Sequence, residues 1–410
     1  MFEVRRAFRR LGPPVKLMTV EAARAAMLAE IRPLERVDLP LGEALGRVLA
    51  EDIHAVRDQP PFTNSSMDGW AVRAADAPGR LAIVGESAAG HGFEGRLSPG
   101  QAIRIFTGAA LPEGADAVVI QEDARRDGEG VEVPAAAVGD NVRLAGRDFR
   151  AGDRLLASGL RLDPWRLSLC ASAGRDRVGV IRRPRVSIVS TGEEVVEAPA
   201  RPGPWQIYDS GSPGLEAMLT TWGAEVRRVT GVRDRLEAIR EAIAQAGGDL
   251  VVTLGGASVG DHDLVRAAAG DLGLSMKVES VAVRPGKPTF FGILSDGRAL
   301  LGLPGNPASA FVCAELFLRS LVAGLEGRPA APVLRTLPLV APLPANGPRE
   351  HWMRARLRTG AEGESVEAFT DQDSSLVRIF SEADALLRRL PGAPALAGGD
   401  RVEVLPLLRI

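Results

Sequence analysis

The chain has 410 residues, of which 45% are apolar and 25% charged, which is typical of a globular protein with two to four domains. Its 50 lysines and arginines nearly balance 52 acidic residues, and a net charge of −2 argues against a nucleic-acid-binding protein. Two cysteines, Cys170 and Cys313, and four histidines without metal-ligand spacing argue against a disulfide framework and a zinc site.

The N-terminal segment, MFEVRRAFRRLGPPVK, is basic and lacks a continuous apolar core. We therefore expect a disordered extension and not a signal peptide. No apolar run in the sequence approaches the roughly 20 residues that a membrane helix needs. Together with the sparse cysteines, these features predict a cytoplasmic protein without membrane association.

The first half of the chain predicts two helical segments on either side of a β domain. Residues 19–31 have the apolar stripe of a helix with Thr19 as its N-cap, and residues 32–53 predict a short strand and a second helix. Residues 69–154 alternate short strands with Gly, Pro and Asp turns. A later helix begins after Asp163, a good N-cap. The two helical segments are expected to pack together, which would make the β domain an insertion.

The second half contains the clearest pattern. Residues 185–327 alternate apolar strands with amphipathic helices, which predicts a mostly parallel sheet covered on both faces. The last helix of this series is expected to run from Asn306 or Pro307 to Leu325. Residues 328–410 predict a Pro-rich linker and a second small β domain.

These patterns predict an α/β and β multidomain protein: a central α/β sheet domain, flanking small β domains and a helical or extended linker domain. The predicted divisions are 1–60 (an N-terminal extension and the first part of domain I), 61–154 (inserted β domain II), 155–184 (the second part of domain I), 185–327 (α/β domain III) and 328–410 (β domain IV). Ligands of open parallel sheets bind beyond the carboxyl ends of the strands, so the loops of domain III are the expected site.

Those loops share one chemistry. Glycines allow close backbone approach, and free N–H groups near helix N-termini attract anions. Arg284 and Lys287 add positive charge. Glu194, Asp234 and Asp263 supply hard oxygen ligands suited to Mg²⁺. The combination predicts a phosphorylated ligand held through a metal ion. The other expected binding positions are Gly255, Gly256, Ser258 and Gly260 of the GGASVG loop, and Pro304, Gly305, Asn306 and Pro307 of the LPGNP corner.

Each loop also has a purely structural explanation. The GGASVG loop could be a simple turn, the acids after Thr191 could cap a helix, and Asp234 could be an N-cap. Five such loops at one end of a sheet make these explanations the minority view. In the LPGNP corner, the two prolines fix φ near −65°, so that the backbone can run flat against a planar ligand, and Asn306 is expected to cap the following helix. P-loop, dinucleotide and nucleophile-elbow motifs are absent from the sequence.

The β domain holds a second polar set. Asp68 lies in a dense polar turn, Thr107 follows a predicted strand, and Arg143 and Asp148 lie near the end of the domain. Ordinary turn chemistry by Asn, Asp and Gly is the alternative explanation for this set.

Together these segments resemble the molybdopterin molybdenumtransferases, the bacterial MoeA proteins and the gephyrin E domain. The similarity covers nearly the whole chain in family order, with a weaker match at HWMRARL. The segments that carry it are SSMDGWAVR (65–73), FTGAALPEGADAVV (106–119), NVRLAGRD (141–148), STGEE (190–194), QIYDS (206–210), GGASVGDHD (255–263), RPGKP (284–288) and LGLPGNPASA (301–310).

The resemblance implies a central MogA-like α/β domain in an elongated four-domain subunit. It implies insertion of molybdate into adenylylated molybdopterin with release of AMP and use of Mg²⁺. The resemblance also implies a homodimer, in which the partner's β domain completes the site, and contacts with other molybdenum cofactor biosynthesis proteins. On this pattern the catalytic residues are Asp68, Thr107, Asp148, Glu194, Asp234 and Asp263, with Glu194 and Asp263 on the metal. Arg284, Lys287, Pro304, Pro307, Arg143, Arg354 and Ser374 match substrate-binding positions.

Two departures from the family pattern stand out. Ser280 occupies a position where family members often carry lysine, although Lys277 is nearby, and Arg147 replaces a frequent acid. Two alternative functions remain open at this point. One is a molybdopterin adenylyltransferase, which usually lacks the flanking β domains. The other is a pterin-binding scaffold or sensor without catalysis.

Overall fold

The computed structural model describes residues 17–256, 263–361 and 363–407. The chain forms two compact units. Unit 1 comprises Met1–Val37 and Ile181–Ile410, and unit 2 comprises Asp38–Val180. Unit 1 is therefore built from two separate stretches of sequence.

The elements are given in chain order. The N-terminal half contains α1 (Val20–Ala29), β1 (Arg36–Pro40), β2 (Ile53–His54), β3 (Asn64–Ser65), β4 (Gly69–Val72), β5 (Gly79–Ser87), β6 (Gln101–Ile105), β7 (Ala117–Ile120), β8 (Arg125–Asp127), β9 (Gly130–Val133), β10 (Val142–Arg143), β11 (Arg154–Leu156), α2 (Pro164–Ser172) and β12 (Arg177–Ile181). Short 3₁₀ turns lie at Leu41–Glu43, Ala74–Asp76 and Gln121–Asp123.

The remainder continues with β13 (Arg185–Thr191), β14 (Val195–Val196), β15 (Ile207–Tyr208), α3 (Gly211–Trp222), β16 (Glu225–Val232), α4 (Leu236–Gln245), β17 (Leu250–Leu254), α5 (Leu264–Asp271), β18 (Ser275–Val278), β19 (Val283–Arg284), β20 (Phe290–Ile293) and β21 (Ala299–Leu303). It ends with α6 (Pro307–Cys313), a π-helical turn (Ala314–Leu318), α7 (Arg319–Leu325), β22 (Arg335–Pro338), β23 (Glu350–Gly360), β24 (Gly363–Ala368), α8 (Val377–Glu382), β25 (Ala385–Arg389) and β26 (Arg401–Pro406).

Unit 2 is built on a six-stranded sheet with the order β7-β4-β6-β5-β9-β8. Successive residues of a strand project to opposite faces, and here both faces are covered. Trp70 packs in the apolar cluster on one face, and Ala71 packs in the cluster on the other. The predicted β domain is confirmed.

The central sheet of unit 1 has the order β16-β13-β17-β21-β20-β18. The first four strands are parallel to one another, and β20 runs antiparallel to them. The edge strand β18 pairs antiparallel with β20 and therefore runs in the same direction as the first four. Apolar clusters on its two faces include Leu215 of α3 on one side and Ile239 of α4 on the other. The predicted mostly parallel, doubly covered sheet is confirmed, and the sequence analysis missed β20, the strand that runs antiparallel to the others.

A second sheet of unit 1 forms the C-terminal β region, with the order β19-β23-β25-β26-β22 and β24 paired to β23. Its core includes Ala355, Leu387 and Val404. One strand of this sheet, β19, comes from the middle of the α/β series. The segment after it therefore starts from this second sheet and not from the parallel one.

Two helix predictions differ from the structure. No second helix follows β1; Gly46 has a positive φ of +73° in the middle of the predicted segment, and Gly is a poor helix former. The later helical segment packs with the residues that follow β1, since β2 pairs with β11 and the turn Leu41–Glu43 contacts α2. Helix α1 forms with Thr19 as its N-cap, as predicted. Its buried residues, which include Met27, belong to the core of unit 1, where α1 contacts α7 and β18.

The stretch Pro307–Leu325 is the only one in the described part of the chain long and apolar enough to cross a membrane. Its 19 residues have a mean hydropathy of 1.6, so the expectation that no run reaches this length is wrong. Of its most apolar window, 89% is buried inside the protein. The composition reflects a helix that is covered by protein on all sides.

Candidate functional site

A cavity of about 940 Å³ lies at the carboxyl ends of the parallel strands of unit 1. Its walls come from the segments that follow β13, β16, β17 and β21, together with the start of α3. The carboxyl edge of a parallel sheet is where such folds bind ligands. The loops singled out from the sequence therefore largely meet at one place.

Three carboxylates line this cavity: Glu194, Asp209 and Asp234. The Oδ1 atom of Asp209 accepts hydrogen bonds from the N–H groups of Gly211 (3.0 Å) and Ser212 (2.9 Å) at the start of α3. Its Oδ2 atom is buried and has no hydrogen-bond partner in the described structure. A buried carboxylate oxygen without a partner is costly, so this atom is suited to a ligand or an ion.

Asp234 was considered either as a helix cap or as a functional acid. The N-cap position of α4 is Arg235, and Asp234 Oδ2 instead accepts a hydrogen bond from the Glu193 N–H at 3.3 Å. This bond links the loops after β13 and β16. The capping explanation does not hold, and the carboxylate of Asp234 lies in the cavity wall.

The floor of the cavity is formed by two close glycine-containing loops. Gly255 has φ +95°, and a Cβ there would lie 2.6 Å from the carbonyl oxygen of Thr191. A Cβ on Gly305 would lie 3.3 Å from the Cα of Gly255. Side chains larger than hydrogen would push these loops apart. Beside them, the hydroxyl oxygen of Thr191 is buried without a partner in the described structure.

The LPGNP corner lines the cavity through Pro304, Gly305, Asn306 and Pro307, as predicted from the sequence. Asn306 occupies the N-cap position of α6, but its side chain does not cap the helix. Its Nδ2 donates instead to Ser374 Oγ at 3.0 Å. The prediction of a capping Asn306 is wrong because its amide is bonded to Ser374.

Arg354, a predicted substrate-binding residue, is fully buried and supports a loop. Its Nε donates to Gln372 Oε1 (3.1 Å) and its Nη1 donates to the carbonyl of Asp373 (2.9 Å). This loop carries Ser374, which bonds Asn306, and Ser375, which lines the cavity. Arg354 thus holds one wall in place from behind.

Three residues that were predicted from the loops of the α/β domain do not line this cavity. Asp263 caps α5 and its Oδ2 lies 2.6 Å from Arg266 Nε; burial raises the pKa of Asp263, although Arg266 opposes this. Arg284 lies in β19 of the second sheet and lines a different cavity. Lys287 lines neither cavity, although its neighbour Pro288 reaches the first. Arg284 and Lys287 belong to the loop that leaves the second sheet at β19, which is why they do not reach the first cavity.

Two predicted residues, Ser258 and Gly260, lie outside the described residues. Gly256 lines the cavity. Within the described ranges, no three His, Cys, Asp or Glu side chains converge as a metal site would require.

In unit 2, the structure brings Asp68 and Thr107 together. Asp68 Oδ1 accepts from both the N–H and the hydroxyl of Thr107, each at 2.8 Å. These hydrogen bonds hold the pKa of Asp68 below its usual value. Arg143 pairs in register with Asn64 in the polar turn that precedes Asp68. Asp148 is exposed, and its N–H donates to the carbonyl of Gln59.

The sequence analysis missed Asp209 and the two residues before it, Ile207 and Tyr208, which also line the cavity. Their segment was noted as a family motif, but no residue in it was assigned a role. The available signal was an acid immediately before a predicted helix, in a loop on the carboxyl side of the sheet.

Most of the chain is similar to known protein families. Three family models cover the chain: the MoeA N-terminal region, domains I and II (residues 18–174), a probable molybdopterin binding domain (187–324), and the MoeA C-terminal region, domain IV (336–407). The molybdopterin molybdenumtransferase of Nostoc sp. is 38% identical over 70% of this chain and 69% of its own length. That of Synechococcus elongatus is 34% identical over 95% of this chain and 100% of its own.

A solved structure agrees with these sequence matches. The molybdopterin biosynthesis MoeA protein from Pyrococcus horikosii has a TM-score of 0.82 and 31% identity, covering 95% of this chain and 99% of its own. The fold, the order of the motifs and full-length relatives above 30% identity all agree. The chain belongs to the MoeA family of molybdopterin molybdenumtransferases, a family of transferases in molybdenum cofactor biosynthesis.

Proposed function

We propose that this chain inserts molybdate into adenylylated molybdopterin and releases AMP. The observation that carries the proposal is the cavity at the carboxyl edge of the sheet, where three carboxylates face two close glycine loops. Its volume of about 940 Å³ is at the upper end of the range for small-molecule sites, which suits a large ligand. The relatives are named for a reaction on molybdopterin, and we extend that substrate to this chain.

The LPGNP corner and the glycine loop are proposed to hold the two ends of the substrate. Pro304 and Pro307 stiffen a backbone segment that can lie flat against a planar pterin. The glycines at 255 and 256 leave no side chain between the backbone and a phosphate. Ile207 and Tyr208 add apolar surface to the opposite wall. These positions are proposed to orient the substrate in the cavity.

The carboxylates fit a Mg²⁺ ion that takes most of its ligands from phosphate and water. Mg²⁺ is usually bound through one or two carboxylates plus substrate phosphates, and no larger acidic cluster is present in the described ranges. The buried, unpartnered Oδ2 of Asp209 is suited to such an ion, with Glu194 beside it in the cavity wall. The family resemblance gave Asp263 as a metal ligand, but its carboxylate is paired with Arg266. We therefore propose Asp209 as the metal ligand in its stead. When bound, the ion neutralises charge on the diphosphate.

Asp68 is proposed to orient the oxygen that attacks the phosphoanhydride. Its two hydrogen bonds from Thr107 keep the carboxylate ionised and fix its direction. Arg143 and Asp148 are proposed to assist it, and Arg284 and Lys287 to attract molybdate. We also propose that the chain acts as a homodimer, in which Asp68 belongs to a different subunit from the carboxylates it works with.

The test is AMP release from adenylylated molybdopterin with molybdate and Mg²⁺. Glu194→Gln and Asp209→Asn are expected to lower turnover by at least 100-fold, with partial recovery for Asp209→Asn at high Mg²⁺. Glu216→Gln, which removes a carboxylate of α3 that pairs with Arg228 and does not line the cavity, is the matched control. Near-normal turnover in both site variants would refute the assignment.

Two further measurements separate the alternatives. Incubation with ATP and molybdopterin must not give adenylylated product, because such a product would indicate the adenylyltransferase. Mixing Asp68→Asn with Glu194→Gln protein should restore up to about a quarter of the activity if subunits share residues. Absence of recovery, with dimers formed, would refute the shared arrangement.

A further inference from the structure

Three neighbouring strands of the second sheet carry basic side chains at one register position. Arg284 of β19 is paired with His351 of β23, and His351 is paired with Arg389 of β25. Residues in register on adjacent strands project from the same face of a sheet. All three line a second cavity of about 420 Å³, and we call them the basic row.

The basic row faces away from the site described above. Successive residues of a strand alternate between the faces, so Arg354, three positions after His351, projects to the opposite side. Arg354 supports the loop that bonds Asn306, whereas the basic row opens into its own cavity. The two cavities share no lining residue.

Arg389 is a buried charge that forms no ion pair among the described residues. Only 3% of the residue is exposed, and its Nη2 donates to backbone carbonyls of Pro344 and Pro394. Its Nη1 is buried and has no hydrogen-bond partner in the described structure, and burial lowers the pKa of Arg389. A buried guanidinium that lacks a negative partner is strongly unfavourable, so its free N–H groups are suited to an anion.

The pKa of His351 also reflects the positive charge around this cavity. The residue is 7% exposed, and burial together with the surrounding arginines lowers its pKa to about 4. The ring is therefore neutral at physiological pH and can donate one N–H hydrogen bond. A negative ligand in this cavity would gain that bond as well as those of the arginines.

Two aspartates on the opposite wall restrict which anions can bind in this cavity. Asp371 and Asp373 also line the cavity. Each uses Oδ1 within its own turn: Asp371 accepts from the Asp373 N–H, and Asp373 accepts from the N–H and hydroxyl of Ser375. Their remaining oxygens repel a fully deprotonated anion but accept a hydrogen bond from one that keeps a proton. The cavity thus combines donors on one side with acceptors on the other.

We propose that the basic row is a binding site for a small tetrahedral oxyanion that keeps a proton near neutral pH, such as hydrogen phosphate. The guanidinium groups of Arg284 and Arg389 bind its charged oxygens, and the aspartates accept a hydrogen bond from its protonated oxygen. The site shares Arg284 with the function proposed above, where Arg284 attracts molybdate. Its other residues line only the second cavity, so phosphate binding there can be tested without pterin or molybdate insertion.

The test is titration calorimetry of the full chain with phosphate, sulfate and molybdate at constant ionic strength. We expect saturable phosphate binding that Arg389→Met and His351→Gln each weaken at least tenfold. Arg349→Gln is the matched control, because Arg349 lies beside the row but does not line the cavity. The phosphate affinity of this variant should stay within threefold of that of the unchanged protein. If Arg389→Met fails to fold, Arg284→Gln replaces it in the comparison.

Three outcomes would overturn the proposal. The first is no saturable phosphate binding. The second is phosphate affinity that the row variants leave unchanged, which would place the ion elsewhere. The third is tighter binding of sulfate or molybdate than of phosphate at the row, because neither can donate a proton to Asp371 or Asp373 at neutral pH. Anomalous scattering from a molybdate-soaked crystal locates molybdate independently in either cavity.

Discussion

Replacing Gly286 by alanine should destabilise unit 1 by about 2 to 6 kcal/mol. Gly286 lies in the RPGKP loop with φ +118°, a conformation that costs an L-residue about 1 to 3 kcal/mol. A Cβ there would overlap the sulfur of Cys313, and overpacking of a core typically costs about 1 to 3 kcal/mol. Cys313 is fully buried and accepts a hydrogen bond from Thr289, so the sulfur cannot move freely.

The two contributions can be measured separately by urea unfolding. Gly297→Ala is the control for the backbone term, since Gly297 has φ +88° and open space around its Cα. The double variant Gly286→Ala/Cys313→Ala removes the overlap and should recover about 1 to 3 kcal/mol relative to the sum of the single changes. Fluorescence of Trp222 and Trp352, both in the core of unit 1, reports the transition. A Gly286→Ala cost no larger than that of Gly297→Ala would refute the steric argument, as would a double variant without recovery.

Arg182→Met should cost about 2 to 4 kcal/mol in unfolding experiments, because it leaves the half-buried Asp249 without its bidentate partner at 2.8 and 2.9 Å; an unchanged midpoint would contradict this. The pKa of His351 is about 4 in the folded protein and near 6.5 in the unfolded chain, so the unfolded chain binds the proton first as the pH falls. The free energy of unfolding should therefore decrease by about 3 kcal/mol between about pH 6.5 and about pH 4. His351→Gln should remove that part of the slope, and identical pH profiles would refute the assignment. Asn306→Ala and Ser374→Ala should each cost about 1 kcal/mol, and the double variant no more than either, because one hydrogen bond is lost in all three; additive losses would show that the two side chains act separately.

Periodicity predicted most of the elements because their signals are local. The strands around Val186 and Leu250 and the helix capped by Asp163 depend on short-range patterns and capping, and the structure contains all three. The predicted second helix failed since two glycines in a short segment outweigh its apolar spacing. Local patterns therefore predicted which helices and strands form more reliably than which other elements they contact.

The candidate site was only partly predictable, and the RPGKP loop shows why. Its position after an apolar strand suggested the parallel sheet, but β19 pairs with β23, more than 60 residues later in the chain. Strand pairing at that separation leaves no local signal in the sequence. Asp209 was missed for a related reason. It is a candidate because its Oδ2 is buried without a hydrogen-bond partner, and only the packed structure reveals this.

The division of unit 1 into two stretches of sequence has a consequence for biosynthesis. Helix α1 emerges from the ribosome well before α7, one of the elements that cover its apolar face, which is made nearly 300 residues later. Unit 2, which lies between them in the chain, can complete its own sheet meanwhile. Until Leu325 has been synthesised, the native cover of Val20 and Met27 is incomplete, so a nascent chain stalled before that point should depend on chaperones.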